Sequence, residues 1–183
     1  VCSSDLRHYL SHPFEKAYFC NQIFHLQSNL LLITPPFTQL NTPYPATAYL
    51  KGFLNTKDIS AYQCDLGIEV TNLIFSHSGL IDLFQHIGNN ESYSPNAKRM
   101  ISLQTDYINS IDAVINFLQG KNPALAPLIS KRGFLPEAAR FAQTEDLKWA
   151  FGSMGTQDMA KFIATMYLED LSDLIKECAD PHF

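Results

Sequence analysis

Residues 30–54 read LLLITPPFTQLNTPYPATAYLKGFL: an unbroken apolar run, a loop crowded with prolines, and an amphipathic segment. The run from Leu30 to Ile33 is too short for a helix and does not alternate, the pattern of a strand buried on both faces in a parallel sheet. Proline has no N–H to give a strand ladder, so Pro35 and Pro36 end the strand at Thr34. Pro45 suits the first turn of a helix, where its missing N–H costs nothing. Ala46, Tyr49, Leu50, Phe53 and Leu54 follow at helical spacing as one apolar stripe. Residues 55–58 break that stripe. Residues 59–66 then read as a second strand, with Asp65-Leu66-Gly67 at its carboxyl end. Strand, helix and strand within about 37 residues make one βαβ unit, and its right-handed crossover requires parallel strands.

The rest of the chain reads differently. Residues 8–28 carry an irregular, aromatic-rich spacing closest to helix. Beyond residue 67 the pattern is almost wholly helical. Leu73, Ile74, Leu80, Leu83, Phe84 and Ile87 mark one helix, or two broken at Ser76-His77-Ser78-Gly79. Ser94-Pro95 is a cap followed by a first-turn proline. Behind it Met100, Leu103, Tyr107, Ile111, Val114, Ile115 and Leu118 predict one long helix, on the order of 38 Å, which Gly120 can close. Residues 122–144 are mixed, with three prolines. Thr156 is the expected cap of a last helix carrying Met159, Phe162, Ile163, Met166, Leu171, Leu174, Ile175 and Cys178.

The expected organisation is therefore a non-native leader over 1–6, a helical segment over 7–29, the βαβ unit over 30–67 and a helical segment over 68–183. The opening VCSSDL resembles translated adapter read-through, connects to no later pattern and is left out of the fold reasoning. A sheet of two parallel strands leaves both edges open and is not independently stable. The expectation is that further strands lie outside these 183 residues and that the chain is a piece of a longer one.

Composition narrows the function classes. A net charge of −5 argues against nucleic acid and anionic membranes as partners, since both require clustered Lys and Arg. No run approaches the roughly 18–20 apolar residues of a transmembrane helix. Cys2, Cys20, Cys64 and Cys178 form no C-x-x-C pair and no cluster spacing, which fits reduced thiols in a cytoplasmic protein.

The loop after the first strand is the candidate site, because ligands of open α/β sheets bind where loops converge at the carboxyl ends of the strands. At eleven residues, Thr34 to Tyr44 exceeds the usual two to six of a βα connection. Its prolines lower the entropy lost on binding. Thr34, Thr38, Gln39, Asn41 and Thr42 offer neutral donors and acceptors, suited to amides and hydroxyls. Neither G-x-G-x-x-G nor G-x-x-x-x-G-K-[ST] occurs, so dinucleotides and nucleoside triphosphates lack their usual cradle. Asp65, at a strand end, is a second candidate. His77 falls at the expected helix break and His86 near a helix end, where a cation helps, while His8, His12, His25 and His182 are read as having no acidic or Cys neighbours at ligand spacing. Glu169, Asp170 and Asp173 alternate with the stripe of the last helix and read as its solvated face. Arg132, Arg140, Trp149 and Gly152-Ser153-Met154-Gly155 have the composition of a second loop near the site.

The run LLLITPPFTQLNTPYPATAYLKGFL, followed by Cys64-Asp65-Leu66-Gly67, resembles the start of the cobalamin-binding domain of radical S-adenosylmethionine proteins. There a first strand ends in a Pro-Pro loop, a later Pro opens a helix of the form AxYLxGFL, and a second strand ends in Asp. Residues 132–177 also resemble the helical stretch of one bacterial subgroup. The resemblance implies an α/β, Rossmann-like (flavodoxin-like) parallel sheet that holds a corrinoid ahead of a downstream barrel with a [4Fe-4S] cluster and S-adenosylmethionine. Thr34, Pro35, Pro36, Phe37, Asn41, Thr42 and Pro43 match the family's loop, with Asp65 and Gly67 on the neighbouring loop. The chain departs from other cobalamin proteins in lacking D-x-H-x-x-G, whose His ligates cobalt. It also lacks C-x-x-x-C-x-x-C, so no residue here can hold the cluster. The expected function is positioning of a corrinoid for methyl transfer or radical chemistry carried by the downstream domain. The alternative is a non-catalytic flavodoxin-like or helical interaction domain whose proline loop docks a protein.

Overall fold

A computed structural model describes residues 30–35, 44–143 and 155–183. The fold is mixed α/β and mostly helical, with one two-stranded parallel sheet among the described residues. The chain divides into two compact units, residues 1–69 and 70–183.

In the first unit, β1 (Leu30–Thr34) is joined through α1 (Pro45–Asn55) to β2 (Ala61–Asp65), and the strands run parallel in register from Leu30↔Ala61 to Thr34↔Asp65. Pro45 opens α1 as expected. At its other end Thr56 folds back, its N–H and hydroxyl both donating to the Phe53 carbonyl.

Two expectations about burial are corrected here. Tyr49, Leu50 and Phe53, the expected buried stripe of α1, are 78%, 51% and 59% exposed. The helix instead buries Thr47, whose hydroxyl accepts a 2.9 Å hydrogen bond from the Gln63 amide of β2. Thr47, Lys51 and Leu54, one turn apart, are the more enclosed positions of α1, because an anchored Thr47 sets the helix's rotation. Nor is β1 buried on both faces. Gln63 is level with Leu32, so the face holding Leu32 and Thr34 is the one turned to α1. Leu31 and Ile33 point the other way and stay exposed, as does Leu30.

In the second unit the apolar stripes assemble as a helical core. After α2 (Leu66–Ile74), α3 (His77–Ile87) starts at Ser76, so the broken form of this segment is the observed one. The Ser76 hydroxyl accepts the Gly79 N–H and donates to the Leu73 carbonyl. Asp112 adds a 2.9 Å bond from the His77 N–H, satisfying another orphan amide of α3.

The long helix expected over residues 95–118 is two helices, α4 (Pro95–Ser102) and α5 (Gln104–Leu118). Leu103, at φ −97° and ψ 11°, ends the first, its N–H donating to the carbonyls of Arg99 and Met100. Ser94 caps α4 by accepting the Ala97 N–H. Ser94 is itself held by Glu177, which accepts from its N–H at 2.6 Å and from its hydroxyl at 2.8 Å. Gly120, at φ +74°, closes α5. A 3-10 turn (Pro123–Leu125), the short α6 (Ala126–Ile129) and a second 3-10 turn (Ala139–Gln143) follow.

The last helix, α7 (Thr156–Cys178), has Gly155 rather than Thr156 at its cap position, with no side-chain cap bond. Tyr107, Ile111, Val114 and Phe117 of α5 and Ala160, Ile163, Tyr167, Leu171 and Leu174 of α7 are buried in the centre. Phe162, expected in the stripe, is 41% exposed.

Candidate functional site

The parallel register sets Thr34 beside Asp65 at the carboxyl ends of the two strands, so two residues chosen from sequence are brought together. Thr34 is buried, and Pro35 after it is exposed. Asp65 is followed at once by α2, and its Oδ1 accepts the Ile68 N–H at 3.1 Å. That bond satisfies a first-turn amide, and a carboxylate there complements the helix dipole. Gly67 is buried in the first turn of α2. Asp65 and Gly67 therefore do not share a loop. Capping by Asp65 lets the strand pass directly into the helix.

Pro36, Phe37, Asn41, Thr42 and Pro43, with Thr38 and Gln39, lie outside the described residues, as does Trp149 with residues 152–154. What remains at the sheet end is the buried Thr34, the Asp65 carboxylate that caps α2 and the start of that helix. Beside it the free Cys64 thiol has its pKa pushed up by burial, with Glu69 and Asp65 adding to the effect. It is a poor nucleophile as a result. Among the described residues, no three or more His, Cys, Asp or Glu side chains group to hold a metal ion. No helix of the described residues is long and apolar enough to cross a membrane.

The second unit accounts for the two arginines otherwise. Arg132 makes a two-pronged pair with Glu137 (Nε–Oε1 and Nη2–Oε2, both 2.7 Å), and Glu137 also accepts the Gly133 N–H. The hydrogen bond from Arg132 holds the Glu137 pKa below its ordinary value. Arg140 bridges Glu169 at 3.0 Å and Asp173 at 2.8 Å. Both arginines are thus spent within the fold, and Glu169 and Asp173 lie on the solvated face expected of them.

Asp170 does not lie on that face. It is fully buried; its Oδ1 accepts the Arg140 N–H at a long 3.4 Å, and its Oδ2 has no hydrogen-bond partner. Burial drives its pKa up to about 6, against the pull of the Arg140 N–H and guanidinium. Nearby polar groups are buried with it. The Tyr107 and Tyr167 rings stack with centroids 5.1 Å apart. The Tyr167 hydroxyl donates to the Tyr107 carbonyl and lies 3.0 Å from the Ser110 hydroxyl. The Tyr107 hydroxyl has no partner. Burial raises both phenol pKa values, with the Asp170 charge adding to the effect at Tyr107.

Sequence reading missed Asp170, although a signal was present. Asp170 is seven residues past Ile163 and four before Leu174, squarely within the buried stripe of α7. A cleft of about 630 Å³ opens in the same unit between Arg99, Asp106 and Ser110 on one side and Leu125, Ile129 and Leu135 on the other.

Set against models of protein families, curated proteins and solved structures, the chain matches none.

Proposed function

We propose that residues 30–67 form the entry of a corrinoid site and that the chain is the cobalamin-binding portion of a radical S-adenosylmethionine enzyme. The observation that carries this reading is the parallel βαβ unit, with Thr34 level with Asp65 where the proline loop leaves the sheet. Such a sheet end is where open α/β folds bind their ligands. Thr34 and the loop residues Asn41 and Thr42 would meet amide edges of the corrin ring, and Pro35, Pro36 and Pro43 would limit the loop's freedom. Asp65 would fix the adjoining helix start. The bound corrinoid would supply transfer of an alkyl group or support of a radical step, and this chain's part would be to hold and enclose it. A downstream domain would carry the [4Fe-4S] cluster and S-adenosylmethionine. Completion of a Rossmann-like sheet by further strands belongs to the same proposal.

A second reading, a protein-docking domain, is favoured by the exposed Tyr49, Leu50 and Phe53 on the outer face of α1. Gel filtration of the chain with hydroxocobalamin separates the two. Comigration of corrinoid absorbance, reduced by Asn41→Ala and Thr42→Ala, is the expected result. A chain that elutes colourless over excess corrinoid would overturn the corrinoid reading. Sequencing the gene past residue 183 for C-x-x-x-C-x-x-C tests the parent enzyme.

A further inference from the structure

The cleft of the helical unit, about 630 Å³, falls within the roughly 300–1,000 Å³ of small-ligand sites. Its opening follows from the side chains of one helix face. Asp106, Asn109, Ser110 and Ala113 stand at i, i+3, i+4 and i+7 along α5, and none is large and apolar, so the space before them is left unfilled. Val114 and Ile129 close the floor against the core. Across the opening Leu125 and Pro136 are half-buried and Phe134 is 44% exposed. Apolar surface therefore meets water opposite a polar wall.

Part of that polar wall is unspent. Among the described residues the side chains of Arg99, Asp106 and Asn109 make no hydrogen bond and no ion pair. Arg99 and Asp106 thus line one cleft with opposite charges that do not meet. Ser110, by contrast, is committed to the Asp106 carbonyl and to the Tyr167 hydroxyl. Glu137, the other carboxylate of the lining, is held by Arg132 and by the Gly133 N–H. It does not compete for a cation, and its bonds fix residues 133–137 before anything binds.

We propose that this cleft binds a short apolar peptide in its zwitterionic form. The carboxylate pairs with Arg99, the ammonium with Asp106 and a peptide group with the Asn109 amide, while apolar side chains cover Leu125 and Phe134. A guanidinium and a carboxylate each make strong charge-assisted hydrogen bonds to such ends. From Arg99 to Asp106 is seven residues, a helical rise of up to about 10 Å. Two or three extended residues span about 7–10 Å. A free amino acid carries both charges on one carbon and does not bridge that length.

Titration of the full chain with leucyl-leucine, followed by calorimetry and amide NMR, tests the site. Saturable binding is expected, with shifts concentrated at Asn109, Ala113, Leu125 and Phe134. Blocking either end, as the N-acetyl or the carboxamide derivative, should weaken binding about tenfold. Arg99 and Asp106 are exposed, so their exchange leaves the core intact. Arg99→Gln should weaken leucyl-leucine equally and make the carboxamide bind no worse than the parent peptide; Asp106→Asn should do the same for the N-acetyl derivative. Ala113→Leu, which fills the cleft without touching either charge, should abolish binding. No saturation at millimolar peptide, shifts lying away from the cleft, or binding indifferent to both end groups would overturn the proposal. Equal or tighter binding of free leucine would overturn the assignment to a peptide.

Discussion

Single residues in this chain act through the backbone groups they satisfy. Gly79 sits inside the first turn of α3 beside the end of α2. A Cβ there would collide with the Leu73 carbonyl oxygen and lie 2.6 Å from that of Ile74. Gly79→Ala should therefore cost about 3 kcal/mol, seen as a lower urea midpoint, whereas Gly52→Ala, with open space around its Cβ, should not destabilise. Glu137 behaves oppositely to Asp170 on titration. Its folded pKa is lowered, chiefly by Arg132, so its contribution is present above the ordinary carboxylate range and is lost as pH falls through the lowered value. Glu137→Gln should remove about 1 kcal/mol at neutral pH and nothing in strong acid, as measured by thermal unfolding across pH. Equal losses at both ends would show that the pair's charge is not what stabilises the turn.

Among the elements, the ones written by local chemistry were legible and the ones set by tertiary contacts were not. Proline at residues 35 and 45 marks the end of β1 and the start of α1, and Ser94 marks the start of α4, because each acts on its own backbone. The split at Leu103 carried no signal. Met100, Tyr107, Ile111 and Val114 keep one helical stripe across it, and no Gly or Pro stands there. The outer face of α1 misled for a related reason. A stripe of Tyr49, Leu50 and Phe53 has the period of a buried face, while the real anchor is the hydroxyl of Thr47 on Gln63. Half of the candidate site was equally legible: strand ends locate Thr34 and Asp65, but the capping of α2 by Asp65 depends on the helix starting without a loop. The Ser94–Glu177 clamp is a tertiary contact of the same illegible kind. Ser94→Ala and Glu177→Ala, combined in a double-mutant cycle, should show a coupling of about 1 kcal/mol. Strict additivity would mean that the bond from the Ser94 hydroxyl to Glu177 adds nothing.

Over the whole molecule, the two units differ in how much they bury. The helical unit encloses Leu80, Met100, Ile111, Tyr167 and Leu171 almost completely, while in the other unit Thr34, Thr47 and Gly67 are the positions described as buried. Amide hydrogen exchange should follow that difference. The β1 and β2 amides are expected to exchange well ahead of those at Ile111, Val114 and Leu171, since two strands with exposed apolar side chains open at little cost. Comparable protection in both would show that the sheet is more firmly held than two strands allow. The clamp on Ser94 also bears on how the protein is made. Its acceptor lies 83 residues further along the chain, and α7 supplies much of the core. A ribosome delivers Ser94 long before Glu177, so during synthesis α3 to α5 wait with an apolar face uncovered. That interval is when a nascent chain of this sequence most needs a chaperone.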